Sequence, residues 1–363
     1  MKRSILLILC ICLSFSLFAC TGANEKTIMS YKGAKASESL YSYWMSTYKS
    51  NFLYYYNDGI DSDEFWDTLI SDDQTYEEYV VNWIDTELQY RTVALWLFDE
   101  YKLTLSDEKI LEIDADIAEK IEYAGSREQI NTDLAKLGMN IDMLRSVYIA
   151  NAKYDAVYEY LYGTGGKEAP TDKERAEYYN NNYYCLKYIT IYSGANLKTD
   201  ENGNYVYDED GQIELIKLTE EEKAVKQQLI DTVVAGVEAG GDFDEYIKEF
   251  SEVDYSDYPD GFFVSENDYS RFGSDIVKAA TELKVNEIRT VSDENVTYII
   301  KKCALPEYNT LTANNKNQLE KIDEYIVREK YTQKFDAYTK DIVINDELKD
   351  SYNIREVSEN SYF

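Results

Sequence analysis

Between residues 36 and 160, apolar side chains recur at spacings of three and four. That is the period of helices that bury one face. Ser37-Glu38-Ser39-Leu40 opens the first run, which continues through Tyr41, Trp44, Met45, Tyr48, Phe52 and Tyr55 until Asn57-Asp58-Gly59 stops it. Asp63 precedes a short helix with Phe65, Trp66 and Leu69. A longer helix is predicted from Tyr76 to Tyr101, through Val80, Trp83, Ile84, Leu88 and Leu95. Ser106 is a predicted N-cap, with Asp107 and Glu108 at the positive end of the helix dipole and Ile110, Ile113, Ile117 and Ile121 following. Ser126 starts another helix, ended by Gly138, and Asn140 or Ile141 opens one through Leu144, Val147, Tyr154, Val157 and Leu161. Gly163-Thr164-Gly165-Gly166 then reads as a hinge.

Beyond the hinge the period changes. Thr171 to Glu174 is a capping box and starts a short helix to Tyr179. Tyr184 to Ile191 reads as a strand. Residues 196–216 carry two turn signals, Glu201-Asn202-Gly203 and Glu209-Asp210-Gly211, and read as a hairpin or loop insertion. Helices follow from Thr219 to Ala239 and Asp242 to Phe250, then a loop with Tyr258 to Phe263, then a helix from Ser274 to Leu283. Glu287-Ile288 and Val296 to Lys301 read as strands. Thr312 caps one long helix with Leu319, Ile322, Ile326, Phe335 and Tyr338, and Ile342-Val343-Ile344 is extended. That helix has an apolar stripe and no neighbour of its own, so it is expected to pack on the first region. The prediction is an α+β fold: a helical lobe over 35–168, a sheet-and-helices domain inserted at 169–306, and a C-terminal helix and tail at 307–363 completing the lobe.

The first twenty residues set the address. Lys2 and Arg3 precede an apolar run, Ile5 to Phe18, that is shorter than a usual membrane span. Leu17-Phe18-Ala19-Cys20 resembles a bacterial lipobox. The likeness implies a signal peptide over 1–19, lipidation of Cys20, a tether over 20–34, and an extracytoplasmic body anchored to the bacterial cell membrane. An uncleaved anchor would lead to nearly the same place.

Composition narrows the chemistry. Among 363 residues, 69 are Asp or Glu and 37 are Lys or Arg, a formal net charge of -32 that repels nucleic acid. Histidine is absent, which removes Ser-His-Asp and Cys-His catalysis and every His-ligated metal site. Asp200, Asn202 and Asn204 have the alternate oxygen spacing of a calcium loop, but the correctly placed glycine and closing glutamate are missing, so a hairpin is the plainer reading. No metal and no cofactor is expected. Cys185 and Cys303 both lie in predicted strands; a cross-strand pair and two separate thiols are both open. Tyrosine is abundant, with 36 copies, more than a small lobe needs inside.

At this point several segments combine. Gly241-Asp242-Phe243 with Tyr246, Phe250 and Ser251, then Gly261-Phe262-Phe263, then Ala279-Ala280 with Leu283 to Ile288, then Tyr298 to Lys301, follow the Cys185–Ile191 strand in order. This resembles extracytoplasmic foldases with a parvulin-type peptidyl-prolyl isomerase domain, of the PrsA and SurA kind. The resemblance spans nearly the whole chain after Cys20. It implies a chaperone lobe, an inserted parvulin-like domain at 169–306 and unfolded or partly folded secreted polypeptides as partners. Asn286 stands where that family usually has glycine. Tyr188 and Tyr298 stand where active members have histidines, and Thr281 stands where an aromatic is usual. The resemblance places Phe272 and Ile276 near the proline pocket and Asp254 near the groove's acidic or thiol position. These five, Asp254, Tyr188, Tyr298, Phe272 and Ile276, are the candidate catalytic residues. Tyrosines cannot titrate near neutral pH as imidazoles do, so the substitutions imply weak or absent isomerase activity. They do not forbid it. Amide rotation has a barrier of about 18–20 kcal/mol and needs no nucleophile, only tighter binding of the twisted amide.

In the helical lobe, Trp44, Tyr48, Tyr55, Trp66, Trp83 and Trp96 are candidates for a client-binding surface, with core packing as the alternative for each. The leading expectation is a lipid-anchored foldase or chaperone that can homodimerise. The alternatives are an assembly or structural lipoprotein using a parvulin-like binding module, and a surface solute-binding lipoprotein.

Overall fold

The computed structural model describes residues 25–359 except Asp72 and Glu209; Lys2, Arg3, the apolar run and Cys20 lie outside the described residues. The fold is α+β. Contacts divide the chain into two compact units, Met1–Ala169 with Arg328–Phe363, and Pro170–Val327.

The first unit opens with a hairpin, β1 (Thr27–Tyr31) and β2 (Ala34–Ser37). Lys32 and Gly33 both take positive φ, 46° and 96°, which makes the tight turn possible. The expected tether is thus structured from Thr27: Ile28, Met29 and Tyr31 are buried, and β1 is flanked on both edges, Met29 pairing with Ala36 on one side and with the distant Ile344 on the other. Then come α1 (Glu38–Tyr56), α2 (Asp63–Asp67), a small hairpin β3 (Leu69–Ser71) and β4 (Gln74–Thr75), and α3 (Tyr76–Glu100). α4 (Asp107–Tyr123), α5 (Arg127–Leu134) and α6 (Ile141–Tyr162) follow. Ser37, Ser106, Ser126 and Asn140 each accept a backbone N–H as N-caps. The apolar faces converge on Leu40, Met45, Leu53, Trp66, Ile84, Leu88, Leu144 and Val147.

The second unit starts with α7 (Asp172–Asn182), whose capping box joins Thr171 and Glu174. β5 (Tyr183–Ile191) leads into β6 (Ala195–Leu197) and β7 (Leu215–Lys217), the stem of the predicted hairpin. α8 (Glu220–Glu238), α9 (Phe243–Phe250), β8 (Phe262–Ser265), α10 (Tyr269–Phe272), α11 (Ser274–Glu282), β9 (Ile288–Ser292) and β10 (Thr297–Cys303) complete it. The sheet is antiparallel in the order β8-β5-β10-β9. Phe262 and Phe263, read from sequence as the end of a loop, instead open an edge strand, Phe262–Ser265, held by Tyr183 to Leu186.

The turn into β9 contains Asn286 at φ 71°, the left-handed region. Asparagine is among the few side chains that tolerate it. Asn286→Gly is therefore expected to be near neutral. Asn286→Ala should cost about 1 kcal/mol, read as a lowered urea midpoint at unchanged slope.

The helix predicted from Thr312 is in two pieces. Thr312 caps α12 (Ala313–Asn317), and α13 (Ile322–Thr339) resumes after a tightened turn. The break turns the Gln318 side chain inward, where it accepts from the Phe263 N–H and donates to the Gly261 carbonyl, both at 3.1 Å. Residues 307–327 accordingly belong with the second unit rather than with the chain end, and the unit boundary falls inside α13. In the first unit, β11 (Val343–Ile344) pairs antiparallel with β1, and α14 (Asp346–Lys349) leads to a terminal strap. Tyr352 meets Tyr41 edge to face at 5.2 Å and Ile354 is fully buried.

Candidate functional site

Strand alternation decides which side chains can meet. Leu186, Tyr188 and Thr190 of β5 share one face with Phe262 and Val264 of β8 and with Tyr298 and Ile300 of β10. α11 packs on that face through Ile276, Val277, Ala279 and Ala280, and Phe272 is partly buried against the same cluster. Four of the five catalytic candidates, Tyr188, Tyr298, Phe272 and Ile276, thus come together.

Asp254 does not join them. It is exposed on the segment after α9, and its carboxylate accepts the Ser256 N–H at 2.8 Å. That backbone hydrogen bond holds its pKa below the usual carboxylate range. The neighbouring Tyr255, which the sequence reading missed, enters the cluster in its stead. Its hydroxyl is 2.5 Å from Thr190 Oγ1, and its ring meets Tyr188 at 5.5 Å and Phe262 at 5.3 Å, both edge to face. Phe262 was missed as well. It stacks on Tyr188 at 4.7 Å with planes 10° apart, and Tyr258 covers it at 4.6 Å. The available signal was the density of aromatics between Tyr255 and Phe263.

Tyr188 and Tyr298 are not directly opposite. Tyr188 pairs with Ile300 and Tyr298 with Thr190, so their rings meet diagonally at 6.1 Å, edge to face. No hydrogen bond joins the two hydroxyls, so they do not reproduce a polar pair across the sheet. Burial pushes the Tyr188 phenol well up and the Tyr298 phenol up. Burial likewise pushes Tyr255 up to about 12, against the opposing hydrogen bond with Thr190. All three rings stay neutral at physiological pH.

The face is filled by its own rings. Tyr188 is 5% exposed and Ile276 8%. Thr281 is half-buried, and its hydroxyl donates to the Lys278 carbonyl at 2.9 Å. A cavity of about 670 Å³ adjoins Tyr255, lined also by Lys187, Ile247, Asp254, Tyr258 and Pro259. Neither Tyr188, Phe272 nor Ile276 lines it. The hairpin's Asp200 accepts from the Asn202 and Asn204 N–H groups, and Asp208 does the same two turns' length on for Asp210 and Gln212. Those carboxylates are occupied as turn formers. Among the described residues no group of three or more acidic or Cys side chains could hold a metal ion.

The client candidates divide. Trp66 is fully buried, and its indole N–H donates to Asp61 at 2.7 Å, so it is core and not surface. Trp96 is wedged between Tyr31 and Tyr338, at 5.1 and 5.4 Å, under the Lys32 ammonium. Trp44 lies 3.9 Å from the Arg91 guanidinium and 5.3 Å from Tyr48. From Tyr48 a chain of rings runs along α1 and α3. Tyr48 meets Trp83, Trp83 meets Tyr79, Tyr79 meets Phe52, Phe52 meets Tyr56 and Tyr56 meets Tyr76, at 5.4–6.2 Å. Two of its members face solvent, Tyr56 at 61% and Trp83 at 44% exposed, and beside it on α1 a separate pair, Tyr54 and Tyr55, meets edge to face at 5.1 Å and is 73% and 74% exposed. Ile60 and Leu69 nearby in sequence are also exposed.

No family model matches this sequence, and no curated protein matches it. Solved structures do resemble it. PrsA from Bacillus subtilis is 19% identical, with 79% of this chain and 99% of that chain covered and a TM-score of 0.25. Foldase protein PrsA from Streptococcus pneumoniae is 15% identical, covering 78% and 97%, with a TM-score of 0.23. Peptidylprolyl isomerase (PrsA) from Bacillus anthracis is 17% identical, covering 73% and 94%, with a TM-score of 0.22. At this level of similarity the function has to be argued from the chain's own side chains. Among the described residues no helix is long and apolar enough to cross a membrane.

Proposed function

We propose that this protein is a lipid-anchored extracytoplasmic chaperone of secreted polypeptides, carrying a parvulin-like domain with weak or absent isomerase activity. The observation that carries the reading is the set of exposed rings on α1 and α3, Tyr54, Tyr55, Tyr56 and Trp83, beside the half-buried rings of Tyr48, Phe52, Tyr76 and Tyr79. Such a surface holds apolar segments of many sequences, because a ring gives large contact area at small entropic cost. The second unit supports the catalytic half of the reading. A prolyl isomerase needs an apolar slot that favours the twisted amide. Here the corresponding face is occupied by Tyr188, Tyr255, Phe262 and Phe272. Lipid attachment rests on the lipobox-like segment ending at Cys20.

Refolding of a proline-limited test protein, with aggregation followed in the same samples, tests both halves. The chain lacking residues 1–20 is expected to lower aggregation and to leave the slow refolding phase within about twofold of its uncatalysed rate, tens to hundreds of seconds at 25 °C. A strong acceleration abolished by Phe272→Ala would make the second unit a working isomerase. No effect on either reading would remove the chaperone proposal.

A further inference from the structure

Cys185 and Cys303 are direct partners across β5 and β10, and both are free thiols. The next rung on the same face pairs Lys187 with Lys301. Two thiols and two ammonium groups therefore share one patch of sheet. We infer that this patch is a redox-reactive dithiol, with Cys303 the attacking thiol and Cys185 the resolving one, closing to a cross-strand disulfide in exchange with a disulfide oxidant.

The geometry permits closure. Directly opposed residues of an antiparallel pair have Cα atoms about 4.5–5.5 Å apart, inside the range of about 4.4–6.8 Å that disulfides span. The roles follow from the surroundings. Cys303 is half-buried and reachable, whereas Cys185 is 1% exposed and donates to the Asp260 carbonyl at 3.0 Å. With both thiols protonated, Cys185 points at Asp260 and Cys303 at the Lys301 carbonyl, 3.8 Å away; turned to its partner instead, the Cys185 S–H stabilises a Cys303 thiolate, and the Lys187 and Lys301 charges add to this, against burial and Asp244. Its pKa is held below the ordinary thiol range. The same contact and burial push the Cys185 thiol up. A thiolate is the species that attacks a disulfide, so reactivity is confined to one partner.

The exchange balances. The Cys303 thiolate attacks one sulfur of the oxidant, the oxidant's S–S bond breaks, and the first thiolate leaves. Cys185 loses its proton and attacks Cys303 Sγ in the resulting mixed disulfide, expelling the second thiolate. Two protein thiols are oxidised, the oxidant is reduced to two small thiols, and the two protons end on those. This inference does not depend on the chaperone reading.

The test uses the full chain, incubated with oxidised glutathione at neutral pH, then alkylated, digested with trypsin and analysed by mass spectrometry. The two cysteines fall in separate tryptic peptides, ending at Lys187 and Lys316, so the chain's other cysteines do not confuse the assignment. The expected product is these two peptides joined with loss of two hydrogens. Cys185→Ala should trap glutathione on Cys303. Cys303→Ser should leave Cys185 unlinked and alkylated at least about tenfold more slowly than Cys303 is in the wild type. Cys303→Ala gives the same readout if the serine variant folds poorly. Wild-type chain that carries glutathione on Cys303 without closing, that stays fully reduced, or whose Cys185 reacts first would overturn the inference.

Discussion

Lys49→Met is expected to remove about 3 kcal/mol of stability from the first unit. Lys49 is 1% exposed, and its ammonium donates to the Arg355 and Val357 carbonyls at 2.9 Å each while meeting Asp61 at 2.6 Å. Methionine keeps the stem and loses the charge. Two carbonyls then lack their donor, and Asp61 loses its cation but not its water, since it is 34% exposed. The estimate therefore sits at the low end for breaking a buried ion pair, about 3–5 kcal/mol. The strap over residues 352–358 should loosen without detaching, because Arg355 still grips Glu77, Asp63 and Asp67 at 2.6–3.0 Å and the Ser46 hydroxyl still donates to the Ser358 carbonyl at 2.8 Å. Thermal unfolding should shift by about 6–12 °C, and amide exchange should speed up over residues 352–358 before anywhere else. A shift below about 1 kcal/mol would mean the strap contributes little.

The same cluster carries a pH dependence. Burial raises the Asp61 pKa, but the hydrogen bonds from Lys49 and Trp66 and the charge of Lys49 outweigh it, and the net direction is down. A depressed folded pKa gives stability that is present above the unfolded value, about 3.9, and is lost as pH falls through the folded one. Wild type should therefore lose stability on acidification below about pH 4 more steeply than Lys49→Met does.

Capping was legible because it is local. Ser106, Ser126, Asn140 and Thr171 satisfy N–H groups two or three residues away, and short-range patterns encode that directly. The three-stranded sheet β11-β1-β2 was not legible, since Met29 finds Ile344 at the other end of the chain and neither strand has enough residues to show a period. Trp66 and Trp83 illustrate a second limit. Both sit in apolar helical patterns, yet one is sealed and the other 44% exposed, and only the packing of neighbouring helices separates them. At the site, the family resemblance put Tyr188 and Tyr298 together, and the register of β5 and β10 sets both on one face. The resemblance could not say that a turn formed by Asp254 and Ser256 leaves the carboxylate exposed while Tyr255 enters the cluster.

Replacing Tyr54, Tyr55 and Trp83 together by serine is expected to weaken client capture about 100-fold while leaving the fold intact. Tyr54 and Tyr55 are 73% and 74% exposed and should cost within about 0.5 kcal/mol each, whereas Trp83, packed on Tyr48 and Tyr79, should cost about 1–2 kcal/mol, which the fold can bear. Each ring should contribute about 1 kcal/mol to holding an apolar segment, and about 3 kcal/mol is roughly two decades in affinity. The measurement is the amount of protein needed to suppress aggregation of one test client by half, beside a control with three exposed glutamates changed to glutamine. Salt separates the two forces on this surface. A net charge of -32 attracts basic clients at long range, and that part fades as salt shortens the screening length to about 3 Å at 1 M. Contact with the rings strengthens when salt favours burial. Capture that survives high salt in the wild type and is lost in the triple variant places the work on the rings. Capture that vanishes with salt in both assigns it to the charge, and the aromatic run would then be packing without a client.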